Sequence, residues 1–157
     1  MGPDLSLYSC APNVAPSTMA AIVRHESHGH AQAIGVRIVR PDGGVVRLQR
    51  QPRTVREARV WAHWLLAHGY RFDAGLAQIN STNFRRLGLD ADSAFDPCAN
   101  LRAAGRLLGD AYAQAAAKRG SGQAALYAAL SAYNTGNEWS GLRNGYVNAV
   151  ARAAKGE

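Results

Sequence analysis

Apolar residues recur along the chain at two spacings, and the changes of spacing mark the elements. Met19, Ile22 and Val23 stand three and four positions apart behind Pro16. That is the pattern of a helix opened by a first-turn proline and running to about Ser27. Glu26 falls next on the same stripe, where a carboxylate is unusual because burying its charge is costly. Gly29 is the predicted stop. Residues 36–40 and 45–49 are β-like runs flanking Pro41-Asp42-Gly43-Gly44, a hairpin signal. Thr54 and Glu57 have capping-box spacing and predict a helix through about His68, with Ala58, Trp61, Ala62, Leu65 and Leu66 on its apolar stripe and Gly69 beyond its end.

Residues 73–80 alternate apolar Leu76, Ala77 and Ile79 with Gln78 and Asn80 behind Gly75, which reads as a strand or a tight turn. Asp96-Pro97 is an N-cap followed by a first-turn proline, and the helix it opens carries Leu101, Ala104, Leu108, Ala111, Tyr112 and Ala115 on one face. Gly120-Ser121-Gly122 links it to a nearly all-apolar helix over residues 123–134, expected to be central and to be capped by Gly136. Tyr146, Val147, Val150, Ala151 and Ala154 mark a last amphipathic helix. Residues 1–15, with Pro3 and Pro12, read as irregular chain. There is no repeat, low-complexity tract or internal domain boundary. The expectation is a mainly α (α+β) single helical domain over residues 1–157, with a small β-hairpin insertion.

Composition narrows the class. The chain has 157 residues, 47% hydrophobic and 18% charged, which suits one globular domain with a sizeable core. Its apolar runs, such as residues 124–132, are too short to span a bilayer. Sixteen Arg and two Lys against eleven acidic residues give a net charge of +7. Such a balance suits an acidic polymer, either nucleic acid or a cell-wall anion, and the scattered charges do not choose between them. Nucleic-acid binding lacks the basic stripe with interleaved aromatics that would support it. Cys10 and Cys98 have 87 residues between them and form no CxxC pair, and with no matching His spacing they make a poor zinc site; one disulfide and two separate thiols both remain open. Met1-Gly2-Pro3-Asp4 has no basic stretch leading into an apolar run, so no signal peptide is expected: the protein is intracellular or a mature fragment.

The histidines do not make a metal site by pattern. In His25-Glu26-Ser27-His28-Gly29-His30 the position four after His25 is Gly29, which fails the zinc-protease spacing, and no Pro-Cys-x-x-Cys accompanies it. No metal and no cofactor are expected. Glu26 is the better lead. A lone glutamate at a helix end ordinarily reaches solvent; four further segments raise its standing. They are Ala33-Ile34-Gly35, Gly75-Leu76-Ala77-Gln78-Ile79-Asn80, Ala132-Tyr133-Asn134-Thr135-Gly136 and Gly145-Tyr146-Val147.

With His25-Glu26-Ser27, these segments stand in the order and spacing of a known family. From about residue 10 to 152 the chain resembles the lytic transglycosylases with a goose-type-lysozyme-like SLT catalytic domain, most of all the subgroup attached to type IV secretion and conjugation machinery. The long insertion, about residues 36–72, fits that subgroup. One departure is Ala77, where many members carry Met, a change expected to reshape a sugar subsite.

The resemblance implies that Glu26 is the sole catalytic acid and base. It implies substrate-binding roles for Ser27, Gln78, Asn80, Tyr133, Asn134 and Tyr146, with Tyr146 approaching the catalytic carboxyl. The implied substrate is the peptidoglycan glycan strand, cleaved at the MurNAc–GlcNAc bond with formation of a 1,6-anhydro ring, without water. Ordinary glycosidases need two carboxylates. Asp73 is the residue that would serve as the second in a true lysozyme; the plainer reading makes it a local turn residue. A catalytically idle wall-binding or scaffold module is the reading from another class, and Glu26 argues against it. Work on the cell wall implies the periplasm, secretion-system components as partners, and no nucleic acid. In that oxidising compartment a Cys10–Cys98 disulfide is expected.

Overall fold

The computed structural model describes residues 5–156. In chain order its elements are α1 (Leu5–Tyr8), α2 (Pro16–Ser27), β1 (Ile34–Gly35), β2 (Ile38–Val39), β3 (Val45–Val46), α3 (Val55–Ala67), β4 (Asp73–Ala74), β5 (Ile79–Asn80), α4 (Phe84–Leu87), α5 (Pro97–Arg119), α6 (Gln123–Thr135), α7 (Ser140–Arg143) and α8 (Tyr146–Ala154), with 3-10 turns at Ser81–Asn83 and Ser93–Phe95. The fold is mainly α, with short strands.

The long helices follow their expected boundaries. Thr54 caps α3 by accepting from the Glu57 amide at 3.0 Å. Glu57 reaches back to the Arg53 amide at 3.3 Å, one residue beyond the usual capping-box partner, the Thr54 amide. Asp96 caps α5 through the Ala99 amide at 2.9 Å. The hairpin keeps only two residues per strand, Ile38 opposite Val46 and Val39 opposite Val45. Residues 73–80 are strand and turn together: β4 pairs antiparallel with β5, Asp73 opposite Asn80. Leu66 on α3 is exposed instead of joining the apolar stripe, because the buried positions there are Ala58, Ala62 and Leu65. Residues 5–8 are helical where irregular chain is expected; residues 1–4 lie outside the described residues. Cys10 and Cys98 are disulfide-bonded. Among the described residues no helix is long and apolar enough to cross a membrane.

Two compact units make up the described chain, with their divisions falling inside α2 and α5: residues 5–25 with 104–156, and Glu26–Ala103. In the first, Met19, Ile22, Leu130, Val147 and Val150 are fully buried. Each such side chain contributes about 1.5–3 kcal/mol by leaving water. Ser131 joins α6 to the segment after it: its hydroxyl donates to the Asn137 carbonyl and accepts from the Gly141 amide, both at 2.8 Å. Gly141 is required there, since a Cβ would lie 2.6 Å from the Ser131 Cα.

The second unit is built on a three-stranded antiparallel sheet in the order β1–β4–β5. Ile34 faces Ala74 and Gly35 faces Asp73 across the first pair. Asn100, on the first turns of α5, is fully buried and holds the β4–β5 turn. Its amide nitrogen donates to the Ala74 and Ala94 carbonyls at 2.9 and 2.8 Å, and its oxygen accepts from the Ala77 amide at 2.8 Å. A buried amide so fully matched pins the turn, because any unmatched group would carry its desolvation cost. The helix α3 is tied to the loop after α4 by Arg59, whose Nε donates to the Asp92 carbonyl at 3.1 Å.

Candidate active site

The end of α2 is shaped by a residue in the left-handed region. His28 has φ +53° and Gly29 φ +82°, so the chain turns sharply after Ser27. Ser27 is buried; its hydroxyl accepts from the Gly29 amide at 3.2 Å and its carbonyl from the His30 amide at 3.1 Å. Glu26, the residue before it, is half-buried and lines a cavity of about 500 Å³, a size that suits a small ligand or part of a polymer. The cavity wall runs from Glu26 and Ser27 through His28, His30, Gln32 and Ala33 to Ile34 and Gly35, and is completed by Gln51 and Gln78. Among these described lining residues Glu26 is the one acid.

Gln78 closes the wall from the β4–β5 turn. Its φ is +55°, a conformation uncommon outside glycine, and the turn around it is held by Asn100. Its amide nitrogen donates to the Ala33 carbonyl at 3.2 Å and to the Gly75 carbonyl at 3.0 Å. The Gly75 amide donates to the same Ala33 carbonyl at 2.9 Å. The side chain is therefore fixed against the segment that follows Glu26 in sequence. Ala77, beside it, is fully buried, with its amide on Asn100.

Asn80 turns to a different neighbour. Its amide nitrogen donates to Asp73 Oδ1 at 3.0 Å, while its oxygen accepts from the Thr82 amide and hydroxyl. Burial holds the Asp73 carboxyl above its ordinary value of 3.8, and the Asn80 bond works against that rise. Asp73 stands opposite Gly35 in the sheet.

The remaining candidates belong to the other compact unit. Tyr133 is half-buried on α6, and Asn134 is exposed and accepts from Asn144 Nδ2 at 2.8 Å. Tyr146 is buried at the start of α8, where its amide donates to Asn144 Oδ1 at 2.9 Å. Its ring meets that of His25 edge to face, centroids 4.8 Å apart.

Sequence reasoning passed over Gln51. Its side chain accepts from the Ile34 amide at 2.9 Å and donates to the Ile34 carbonyl at 2.7 Å, so one residue satisfies both backbone groups of a cavity-wall position. Nothing in the local pattern marks it, since the whole hairpin separates the two residues. His28 and His30 were visible as part of a histidine cluster, but their place in the wall follows from the turn after Ser27.

A transglycosylase SLT domain model matches residues 6–153. The type IV secretion system protein virB1 of Brucella suis biovar 1 is 43% identical over 151 residues, covering 92% of this chain and 60% of that protein. The protein virB1 of Agrobacterium fabrum is 40% identical over 152 residues, covering 93% of this chain and 56% of the relative. A third, virB1 of Rhizobium radiobacter, is 41% identical over 146 residues. The chain thus spans about 60% of the length of these curated relatives. No solved structure matches it. With the family model spanning nearly all of the described residues and relatives 40–43% identical over 146 to 152 residues, the chain belongs to the transglycosylase SLT domain family.

Proposed function

We propose that this chain is a peptidoglycan lytic transglycosylase that cleaves the β-1,4 bond between MurNAc and GlcNAc, acts in the periplasm, and opens the wall locally for a type IV secretion system. The observation that carries the reading is the cavity in which Glu26, Ser27 and Gln78 share one wall. The family match and the virB1 relatives support the substrate and the secretion setting.

In this mechanism the protonated carboxyl of Glu26 gives its proton to the glycosidic oxygen as the bond from that oxygen to the MurNAc anomeric carbon breaks. GlcNAc leaves with a new hydroxyl. The MurNAc N-acetyl carbonyl stabilises the positive charge at the anomeric carbon. The Glu26 carboxylate then takes the proton of the 6-hydroxyl as that oxygen closes on the anomeric carbon, which restores the acid and forms the anhydro ring. One carboxyl serves both halves because no water has to be activated. Ser27 and Gln78 line the saccharide path, and Asn80, Tyr133, Asn134 and Tyr146 are its further contacts in this reading. No cofactor takes part.

Digestion of purified sacculi followed by mass spectrometry of the muropeptides tests it. The expected products are lighter by one water than those of a lysozyme. Hydrated reducing ends alone would make the enzyme a hydrolase, and intact sacculi would leave a wall-binding module.

A further inference from the structure

Residues 36–72 hold eight of the sixteen arginines and only two acidic side chains, Asp42 and Glu57, so this stretch carries six of the chain's seven net positive charges. Both acids are already engaged, Asp42 with Arg40 at 3.6 Å and Glu57 with Arg50 at 2.5 Å. The other arginines of the stretch outnumber the acids around them, even with Asp92, whose carboxylate lies on His63 of α3. On α3 this excess lies beside apolar surface. Arg56, Val60 and Trp64 follow at four-residue spacing and so share one helix face; Val60 is 63% and Trp64 54% exposed.

Trp64 is held in place. Its ring stacks on His68, centroids 3.9 Å apart, and runs parallel to Tyr70 at 5.9 Å. Beside it Leu48, Trp61, Trp64 and Leu65 line a recess of about 190 Å³ whose surface is almost wholly apolar. The Arg50 guanidinium covers the Trp61 ring at 4.8 Å.

We propose that this face of α3 docks an acidic segment of a partner protein, with an apolar side chain seated in the recess at Trp64 and carboxylates on Arg53 and Arg56. The charge excess selects an acidic occupant and speeds its approach. The recess selects an apolar side chain over a sugar, because its surface is almost wholly apolar. His68 also covers an indole face on which a sugar ring would stack. Fixed aromatic rings beside arginines have the composition of interface anchors. The surface shares no residue with the lining of the Glu26 cavity, and the proposal stands whether or not that cavity is catalytic.

The test titrates the full chain with a short synthetic peptide in which glutamates flank a leucine and a phenylalanine. Two controls accompany it: the same peptide with lysines for glutamates, and one with serines for the two apolar residues. The first should bind, more weakly as salt rises, and both controls at least about tenfold more weakly. Trp64→Ala and the double variant Arg53→Glu/Arg56→Glu should each weaken the first peptide about tenfold or more, with unchanged thermal unfolding and sacculus turnover. The double variant is expected to fold because both residues are exposed, Arg53 just before and Arg56 within the first turn of α3, where acids suit the helix dipole. No binding of the acidic peptide, equal binding of the lysine peptide, or indifference to both variants overturns the proposal. Binding of a soluble peptidoglycan tetrasaccharide that is lost on Trp64→Ala also overturns it, and assigns the face to glycan.

Discussion

Gly35 and Gln78 approach so closely that a Cβ on the glycine would lie 2.8 Å from the glutamine Oε1. The obstacle is the tip of a flexible side chain. At Gly75, in the turn that carries Gln78, a Cβ would lie 2.6 Å from the Ala94 carbonyl oxygen, and φ there is +79°. The two glycines should therefore respond differently. Gly35→Ala is expected to cost about 1 kcal/mol or less in stability while displacing Gln78 and lowering turnover. Gly75→Ala is expected to cost about 2 kcal/mol or more, because backbone has to move. Urea unfolding alongside sacculus turnover separates the two outcomes.

Asn100→Ala leaves the Ala77 amide and the Ala74 and Ala94 carbonyls without their side-chain partner in a buried place. The expected loss is about 2–5 kcal/mol, read from chemical unfolding. Asn100→Asp should also destabilise, since a carboxylate replaces the donor that serves the two carbonyls.

Glu26→Gln is expected to keep the fold and to reduce turnover on sacculi by about a hundred- to ten-thousand-fold or more. The amide matches the carboxyl in shape and has no proton of suitable acidity. Circular dichroism checks the fold, and muropeptide release checks the rate. Near-native turnover would remove Glu26 from the mechanism.

Asp73 should set a pH dependence of stability. Burial raises its folded pKa above the ordinary 3.8, so the folded chain holds its proton more tightly than the unfolded chain. The resulting stabilisation is complete below about 3.8 and is lost as pH rises through the folded value. Asp73→Asn removes the ionised form, so its stability relative to the wild type should climb with pH over that window, as measured by unfolding at a series of pH values. In the one-carboxylate mechanism the same variant retains turnover and yields anhydro products.

The helices were legible because their signals are local. Pro16, Thr54 and Asp96-Pro97 mark starts within a turn of the residues they act on, and Gly136 marks a stop with φ +85°. The strands were overestimated: residues 36–40 and 45–49 have β-like composition, yet only two residues in each pair. Val39, Val45 and Val46 are exposed, so no packed face extends the ladder. Short elements such as α4 and α7 carry too few residues for a periodicity to register. The cavity wall was half legible. Glu26, Ser27 and Gln78 stand in recognisable motifs, whereas Gln51 and Asn100 act through contacts made across 17 to 26 residues of sequence.

The two hydrogen bonds between Gln51 and Ile34 also affect how the molecule meets its surroundings. β1 is an edge strand, flanked by β4 on one side only. An open edge offers amides and carbonyls to any extended chain and invites strand addition or aggregation. At Ile34 both outward groups are occupied by the Gln51 side chain. The rim of the Glu26 cavity is thereby closed to β-pairing with another polypeptide at that residue.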